Sequence, residues 1–136
     1  MIGLVVVCHE DMGTELVKAA EMIVGKIEAA ATVSVKQESA PELLRDELQA
    51  AIKKVDRKKG VMLFTDMFGG TPSNIAFSLA QPDRIEVITG VNLPVLVRFL
   101  SLQHENLTGL REISMFLCQR VRQSICIYGL KEDNDK

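Results

Sequence analysis

The chain alternates short apolar runs with longer stretches in which apolar positions recur every three or four residues. The runs at 2–8 and 60–65 are continuously apolar, as in parallel strands that are covered on both faces. The runs at 31–35 and 84–89 alternate or nearly alternate apolar and polar positions, which predicts two further strands. A short apolar segment at 124–128 predicts a last strand.

The stretches between these runs predict helices, each with one core-facing apolar stripe. They are expected over 13–29, from the Ser39 region to about 55, from the glycine turn at 69–70 onward, over 95–102 and over 107–122. Asp11 or Thr14 is expected to cap the first helix, and Ser39 the second. Alternating strands and helices predict an α/β fold with one mainly parallel open sheet of flavodoxin-like order. Helices cover both faces, and a short C-terminal strand lies at the edge.

Length and composition limit the chain to one globular domain. It has 136 residues, of which 47% are hydrophobic, enough to bury one core and too few for a second domain. We expect the domain to span 1–130 and the charged tail 131–136 to fray. A net charge of −2 with 4% aromatic residues argues against nucleic acid as a partner, because such binders carry basic faces and aromatic stacking platforms.

The three cysteines, Cys8, Cys118 and Cys126, are scattered and form no C-x-x-C pair. This pattern indicates neither a disulfide framework nor a structural metal site, and it suits the cytoplasm. The apolar start of the chain ends at His9, too soon for a membrane span. We therefore expect a cytoplasmic protein without direct membrane insertion.

His9 ends the first predicted strand and Asp66 follows the third. In a sheet of flavodoxin-like order these strands are neighbours, and ligands bind beyond their carboxyl ends. Each residue alone is most often structural, a solvated histidine or a helix cap, so the interpretation depends on their convergence. If Asp66 accepts the Nδ1 proton of His9, the Nε2 atom is free to act as a nucleophile. We therefore predict a catalytic pair.

Gly69, Gly70 and Thr71 follow and open a helix at Pro72. Paired glycines let backbone N–H groups approach an anion at a helix N-terminus, and Thr71 adds a hydroxyl donor. A Gly-Gly turn alone is more often an ordinary connection. Beside a histidine nucleophile, however, it predicts a phosphoryl-binding cradle that needs neither a metal nor a cofactor.

Three segments resemble the mannose-type enzyme IIA of the bacterial sugar phosphotransferase system: GLVVVCH at 3–9, DMFGGTPSN at 66–74 and GVNLP at 90–94. The resemblance covers nearly the whole chain. It implies a phosphocarrier that accepts a phosphoryl group from phospho-HPr on His9 and passes it to a histidine of enzyme IIB. It also implies that Asp66 bonds the imidazole and that residues 69–71 line the phosphoryl pocket.

The same resemblance implies a homodimer in which the C-terminal strand crosses to the partner subunit. It places the loop containing Asn92 beside the site. Met67 and Phe68 lie in the turn that follows Asp66, where exposed apolar side chains favour docking of HPr or enzyme IIB. We expect these three residues to face the protein partners.

The residues around His9 depart from the family pattern, which usually has Thr or Ser before the histidine and Gly after it. Here Cys8 precedes it, and Glu10 and Asp11 add negative charge that would repel a phosphoryl donor. Two alternatives stay open: a regulatory phosphohistidine module that reports phosphotransferase flux, and an α/β domain that binds a small anionic ligand. The second lacks both the G-x-G-x-x-G and the Walker A patterns.

Overall fold

Four parallel strands form one open sheet in the order β2-β1-β3-β4. The structure is a computed structural model that describes residues 1–103, 105 and 108–130. The strands are β1 (Gly3–His9), β2 (Ala30–Val35), β3 (Val61–Thr65) and β4 (Ile85–Thr89). The prediction of an α/β fold with flavodoxin-like strand order is confirmed. The tail predicted to fray, 131–136, lies outside the described residues.

Five α-helices connect and cover the strands in the described part of the chain. They are α1 (Met12–Val24), α2 (Pro41–Val55), α3 (Thr71–Ser78), α4 (Leu93–Leu102) and α5 (Leu110–Val121), the last continued by a 3₁₀ turn at Arg122–Ser124. Proline stands in the first turn of α2, α3 and α4, where its missing N–H costs no hydrogen bond.

The sheet is covered on both faces because successive β1 side chains point in opposite directions. Leu4, Val6 and Cys8 belong to a core shared with α1, α4 and α5. Val5 and Val7 belong to a second core, on the other face, shared with α2 and α3. All five residues are essentially inaccessible to solvent. This double burial explains why the β1 sequence is apolar without alternation.

The side-chain hydrogen bonds expected of the predicted caps do not form in the first two helices, although Asp11 occupies the N-cap position of α1. Asp11 precedes α1 without a side-chain capping bond, and the Thr14 hydroxyl bonds Thr32 instead. The Ser39 hydroxyl accepts a hydrogen bond from the Lys36 backbone N–H, and Ala40 occupies the N-cap position of α2. The first helix also ends five residues early, because Gly25 takes a φ of +94° and leaves the helical path.

The predicted C-terminal strand is also wrong for the single chain. Residues 125–128 pair with no strand in the described structure. Ile125 is 84% exposed and Tyr128 fully exposed, so this apolar segment has no surface to pack against. A strand needs a neighbour to satisfy its backbone groups, and the described part of the chain supplies none for this segment. One edge of β4 is left without a strand partner in the described part of the chain.

A matched pair of leucines on α2 tests the described core. Leu48 is fully buried beneath the sheet, whereas Leu43 on the same helix is 69% exposed. Leu48→Ala should lower the free energy of unfolding by about 2–5 kcal/mol, because it leaves a cavity. Leu43→Ala should change it by less than about 0.5 kcal/mol. Urea unfolding of the two variants checks this, and equal effects would contradict the described packing.

Candidate functional site

His9 and Asp66 meet at the carboxyl ends of β1 and β3, two paired strands in the middle of the sheet. The His9 Nδ1 and Asp66 Oδ2 atoms are 2.8 Å apart. The same Oδ2 accepts a hydrogen bond from the His9 backbone N–H, also at 2.8 Å. One carboxylate oxygen therefore fixes both the main chain and the ring of a residue 57 positions away in the sequence. The predicted juxtaposition of the two residues is confirmed.

The two side chains of this pair differ in exposure. The Asp66 side chain is 9% exposed and that of His9 is 49% exposed, so the ring stands between the buried carboxylate and solvent. Burial pushes the pKa of Asp66 up, but the backbone and side-chain hydrogen bonds from His9 outweigh it and hold that pKa below its usual value. Asp66 is therefore ionised at neutral pH. An ionised partner at Nδ1 keeps a proton on that atom, which leaves the lone pair of the neutral ring on Nε2.

The second oxygen of Asp66 lacks a hydrogen-bond partner. The Oδ1 atom is buried and bonds no other group in the described structure. Buried polar atoms without partners are rare in folded proteins and concentrate where a site does chemistry. The carboxylate of Asp66 thus bonds His9 through Oδ2, while Oδ1 is buried and poorly solvated.

The glycine turn lies against the free nitrogen of the imidazole. Gly69 and Gly70 have φ values of +90° and +87°, a region that other residues adopt at a cost. A Cβ atom built on Gly70 would stand 3.5 Å from His9 Cε1 and 3.7 Å from Nε2. Gly70 directly precedes α3, whose first residue is Thr71. The N–H groups at the start of a helix lack partners within the helix, so this turn is suited to bind an anion beside Nε2.

Two buried hydroxyls that the sequence analysis missed hold this turn in place. Thr65 ends β3 and its hydroxyl lies 2.7 Å from that of Ser73 in α3. Ser73 in turn donates to the backbone carbonyl of Met67. Both side chains are fully buried. The sequence offers no local signal for this pair, because Thr65 and Ser73 are eight positions apart and come together only in the fold.

The three residues predicted to face protein partners are placed differently. Met67 and Phe68 are exposed, at 55% and 77%, and Phe68 packs against Phe77 with ring centroids 5.8 Å apart. Asn92 instead uses both of its polar groups within the chain. Its Oδ1 accepts from the Val95 N–H and caps α4, and its Nδ2 donates to the Ser124 hydroxyl. The exposed apolar surface beside the turn is therefore formed by Met67, Phe68 and Phe77.

The two carboxylates after His9 are paired with a lysine that directly follows the neighbouring strand. Lys36 follows β2, and its Nζ lies 2.9 Å from Asp11 Oδ1 and 3.3 Å from Glu10 Oε1. The bonds from Lys36 and Ser34 lower the pKa of Asp11, and the bond to Asp11 raises the pKa of Lys36. The extra negative charge expected beside His9 is thus partly neutralised. Sequence reasoning missed Lys36 because the pairing depends on strand order.

Cys8 directly precedes His9, and its side chain is buried. Burial, with a contribution from the Asp66 charge, raises the pKa of the Cys8 thiol to about 12, so it stays protonated. Across residues 1–103, 105 and 108–130, no three His, Cys, Asp or Glu side chains converge as ligands for a metal ion.

Among the described helices, none has both the length and the apolar character that crossing a membrane requires.

Comparison with known proteins identifies the family to which the chain belongs. The model of a family described as the fructose IIA component of the PTS system, EIIA-man, matches residues 3–134. The chain belongs to this family. The fructose-specific EIIA component of Bacillus subtilis is 32% identical over 104 residues, which cover 76% of this chain and 71% of that protein. The mannose-specific EIIAB component of Escherichia coli K12 is 32% identical over 106 residues, 77% of this chain.

The EIIA-man chain described here spans about a third of the length of the Escherichia coli protein. Solved structures show the same fold. The EIIA crystal structure from Streptococcus agalactiae has a TM-score of 0.82 at 21% identity, covering 94% of this chain and 98% of that one. The mannose/sorbose IIA subunit from Enterococcus faecalis has a TM-score of 0.80 at 24% identity, covering 96% and 97%.

Proposed function

We propose that this chain is a phosphocarrier of the sugar phosphotransferase system, with His9 as the phosphoryl acceptor. The donor is phospho-HPr and the recipient is a histidine of enzyme IIB, and both transfers take place in the cytoplasm. The observation that carries the proposal is the 2.8 Å contact between His9 Nδ1 and Asp66 Oδ2 beside the glycine turn. Family membership supports a role in the phosphotransferase system. The contact with Asp66 supports His9 as the phosphoryl acceptor.

The transfer begins with the neutral imidazole. The Nε2 lone pair attacks the phosphorus atom of the donor and forms an N–P bond. The bond between phosphorus and the donor atom breaks, and that atom leaves with the electron pair. The Nδ1 proton stays in its bond to Asp66, whose charge stabilises the cationic ring that forms. Transfer to enzyme IIB is the same displacement with His9 as the leaving group.

The turn 69–71 supplies the second half of the site. The transferred group carries about two negative charges at neutral pH, which need donors that are already in place. The backbone of Gly69 and Gly70 and the N–H and hydroxyl of Thr71 stand at the start of α3, beside His9 Nε2. Thr65 and Ser73 hold this turn, so the donors do not have to reorganise during transfer.

The apolar surface formed by Met67, Phe68 and Phe77 is proposed as the docking area for both protein partners. It adjoins the turn, so a partner that buries it brings its own histidine toward His9 Nε2. Exposed aromatic and methionine side chains are enriched at such interfaces. Asn92 contributes by holding the start of α4.

Mass spectrometry tests the acceptor directly. Incubation with phosphoenolpyruvate, enzyme I and HPr should add one acid-labile phosphoryl group to the intact chain. His9→Ala should add none, because it removes the nucleophile. His104→Ala is the matched control and should still add one, since His104 is the only other histidine in the sequence and lies outside the described residues. A normal gain in His9→Ala would contradict the proposal.

Two glycine variants test the cradle. Gly69→Ala and Gly70→Ala both force a side chain into positive φ, so each should lower the free energy of unfolding by about 1 kcal/mol. Only the Gly70 methyl would stand against His9 Nε2, whereas the Gly69 methyl meets open space. Gly70→Ala should therefore slow phosphorylation by about tenfold or more, and Gly69→Ala far less. Equal rates in the two variants would argue against a phosphoryl group bound at this turn.

We also propose that the chain forms a homodimer through its C-terminal segment. A groove of about 280 Å³ runs between the free edge of β4 and α5, lined by Val87, Ile88 and Met115 among others. Ile127 and Tyr128 are largely exposed within the chain. A second copy that adds residues 124–128 as a strand beside β4 would bury these side chains and satisfy both backbones.

Light scattering at micromolar concentration tests the dimer. The wild-type chain should have twice the mass of one chain, and Ile127→Asp should shift it to the monomer mass, because a charge would be buried at the interface. Met22→Asp on α1, at a position that is 90% exposed, is the control and should remain dimeric. A monomeric wild-type chain would contradict this assembly.

A further inference from the structure

Lys36 and the two carboxylates beside His9 form a cluster that the phosphocarrier proposal does not use. Within the sheet, His9 at the end of β1 stands between Asp66 after β3 and Lys36 after β2. Val35, the residue before Lys36, is in register with His9. The cluster of Glu10, Asp11 and Lys36 therefore borders His9 on the side opposite the catalytic carboxylate.

The backbone at Glu10 is adapted to this arrangement at some cost. Its φ is +52°, a left-handed conformation that glycine adopts more readily. The Glu10 N–H extends the β1–β2 pairing by donating to the Val35 carbonyl, at 2.9 Å. The turn after His9 thus projects two consecutive carboxylates toward the end of β2. The Lys36 ammonium group donates hydrogen bonds to both carboxylates.

The charge balance of this cluster affects any phosphoryl group that reaches His9. Glu10 and Asp11 carry two negative charges, and the incoming group is itself doubly negative. Lys36 bonds both carboxylates, and Ser34 donates to Asp11. The pKa of Asp11 is lowered by these bonds, so Asp11 is ionised at neutral pH. Loss of the Lys36 charge would therefore double the net negative charge of this cluster.

We propose that Lys36 is a positioning residue for phosphoryl transfer, which holds Glu10 and Asp11 away from the incoming group and offsets their charge. The proposal rests on His9 being the acceptor. It assigns Lys36 no contact with the phosphoryl group: its effect passes through the two carboxylates. Removal of the carboxylates should therefore make Lys36 dispensable, which a purely structural lysine would not predict.

Initial phosphorylation rates test this relation at low ionic strength. Lys36→Met keeps the aliphatic stem and removes the charge, and it should slow phosphorylation by phospho-HPr roughly three- to tenfold. Lys36→Arg should retain most of the rate. The triple variant Lys36→Met, Glu10→Gln, Asp11→Asn should return at least to the wild-type rate. Lys54→Met, on the last turn of α2, is the matched control and should leave the rate unchanged.

The salt dependence gives a second readout that folding defects would not produce. The phosphorylation rate of Lys36→Met should approach the wild-type rate as the salt concentration rises, because screening weakens repulsion between exposed charges. An unchanged rate in Lys36→Met would overturn the role of Lys36 while His9 remained the acceptor. A triple variant as slow as Lys36→Met would overturn it as well. A wild-type chain that gains no phosphoryl group would overturn the phosphocarrier proposal and this inference together.

Discussion

The bifurcated bond that Asp66 Oδ2 accepts from His9 is the interaction on which the site depends. It joins the ends of two central strands and orients an imidazole that is otherwise half exposed. A histidine at the end of a strand has no preferred tautomer by itself. The buried carboxylate supplies that preference, and it does so from a position that solvent screens poorly. The ring nitrogen that His9 leaves unbonded is thus set by a residue that follows another strand.

The rest of the fold serves to keep this contact and the glycine turn together. Parallel pairing of β1 and β3 brings their carboxyl ends to one edge of the sheet, and cores on both faces hold the strands in register. The buried hydroxyls of Thr65 and Ser73 then fix the turn that carries Gly70 to the imidazole. Because every step uses a buried or backbone interaction, the site is assembled before a partner arrives.

Sequence reasoning succeeded where a local pattern determines structure. The apolar runs identified the four strands, and strand order then placed His9 beside Asp66. It failed where a residue has several possible partners. Asp11 is a good helix cap by type, but Lys36, which directly follows the neighbouring strand, pairs with it instead. The apolar segment after Ser124 has strand propensity, but it pairs with no strand in the described part of the chain.

The central claim is that Asp66 commits Nδ1 and leaves Nε2 to carry the phosphoryl group. Nuclear magnetic resonance of the phosphorylated chain, labelled with ¹⁵N in its histidines, tests it most directly. The ¹⁵N–³¹P coupling identifies the ring nitrogen that is bonded to phosphorus. The account predicts coupling at His9 Nε2, with Nδ1 still protonated. Coupling at Nδ1 would contradict it, because phosphorylation there requires the contact with Asp66 to be broken.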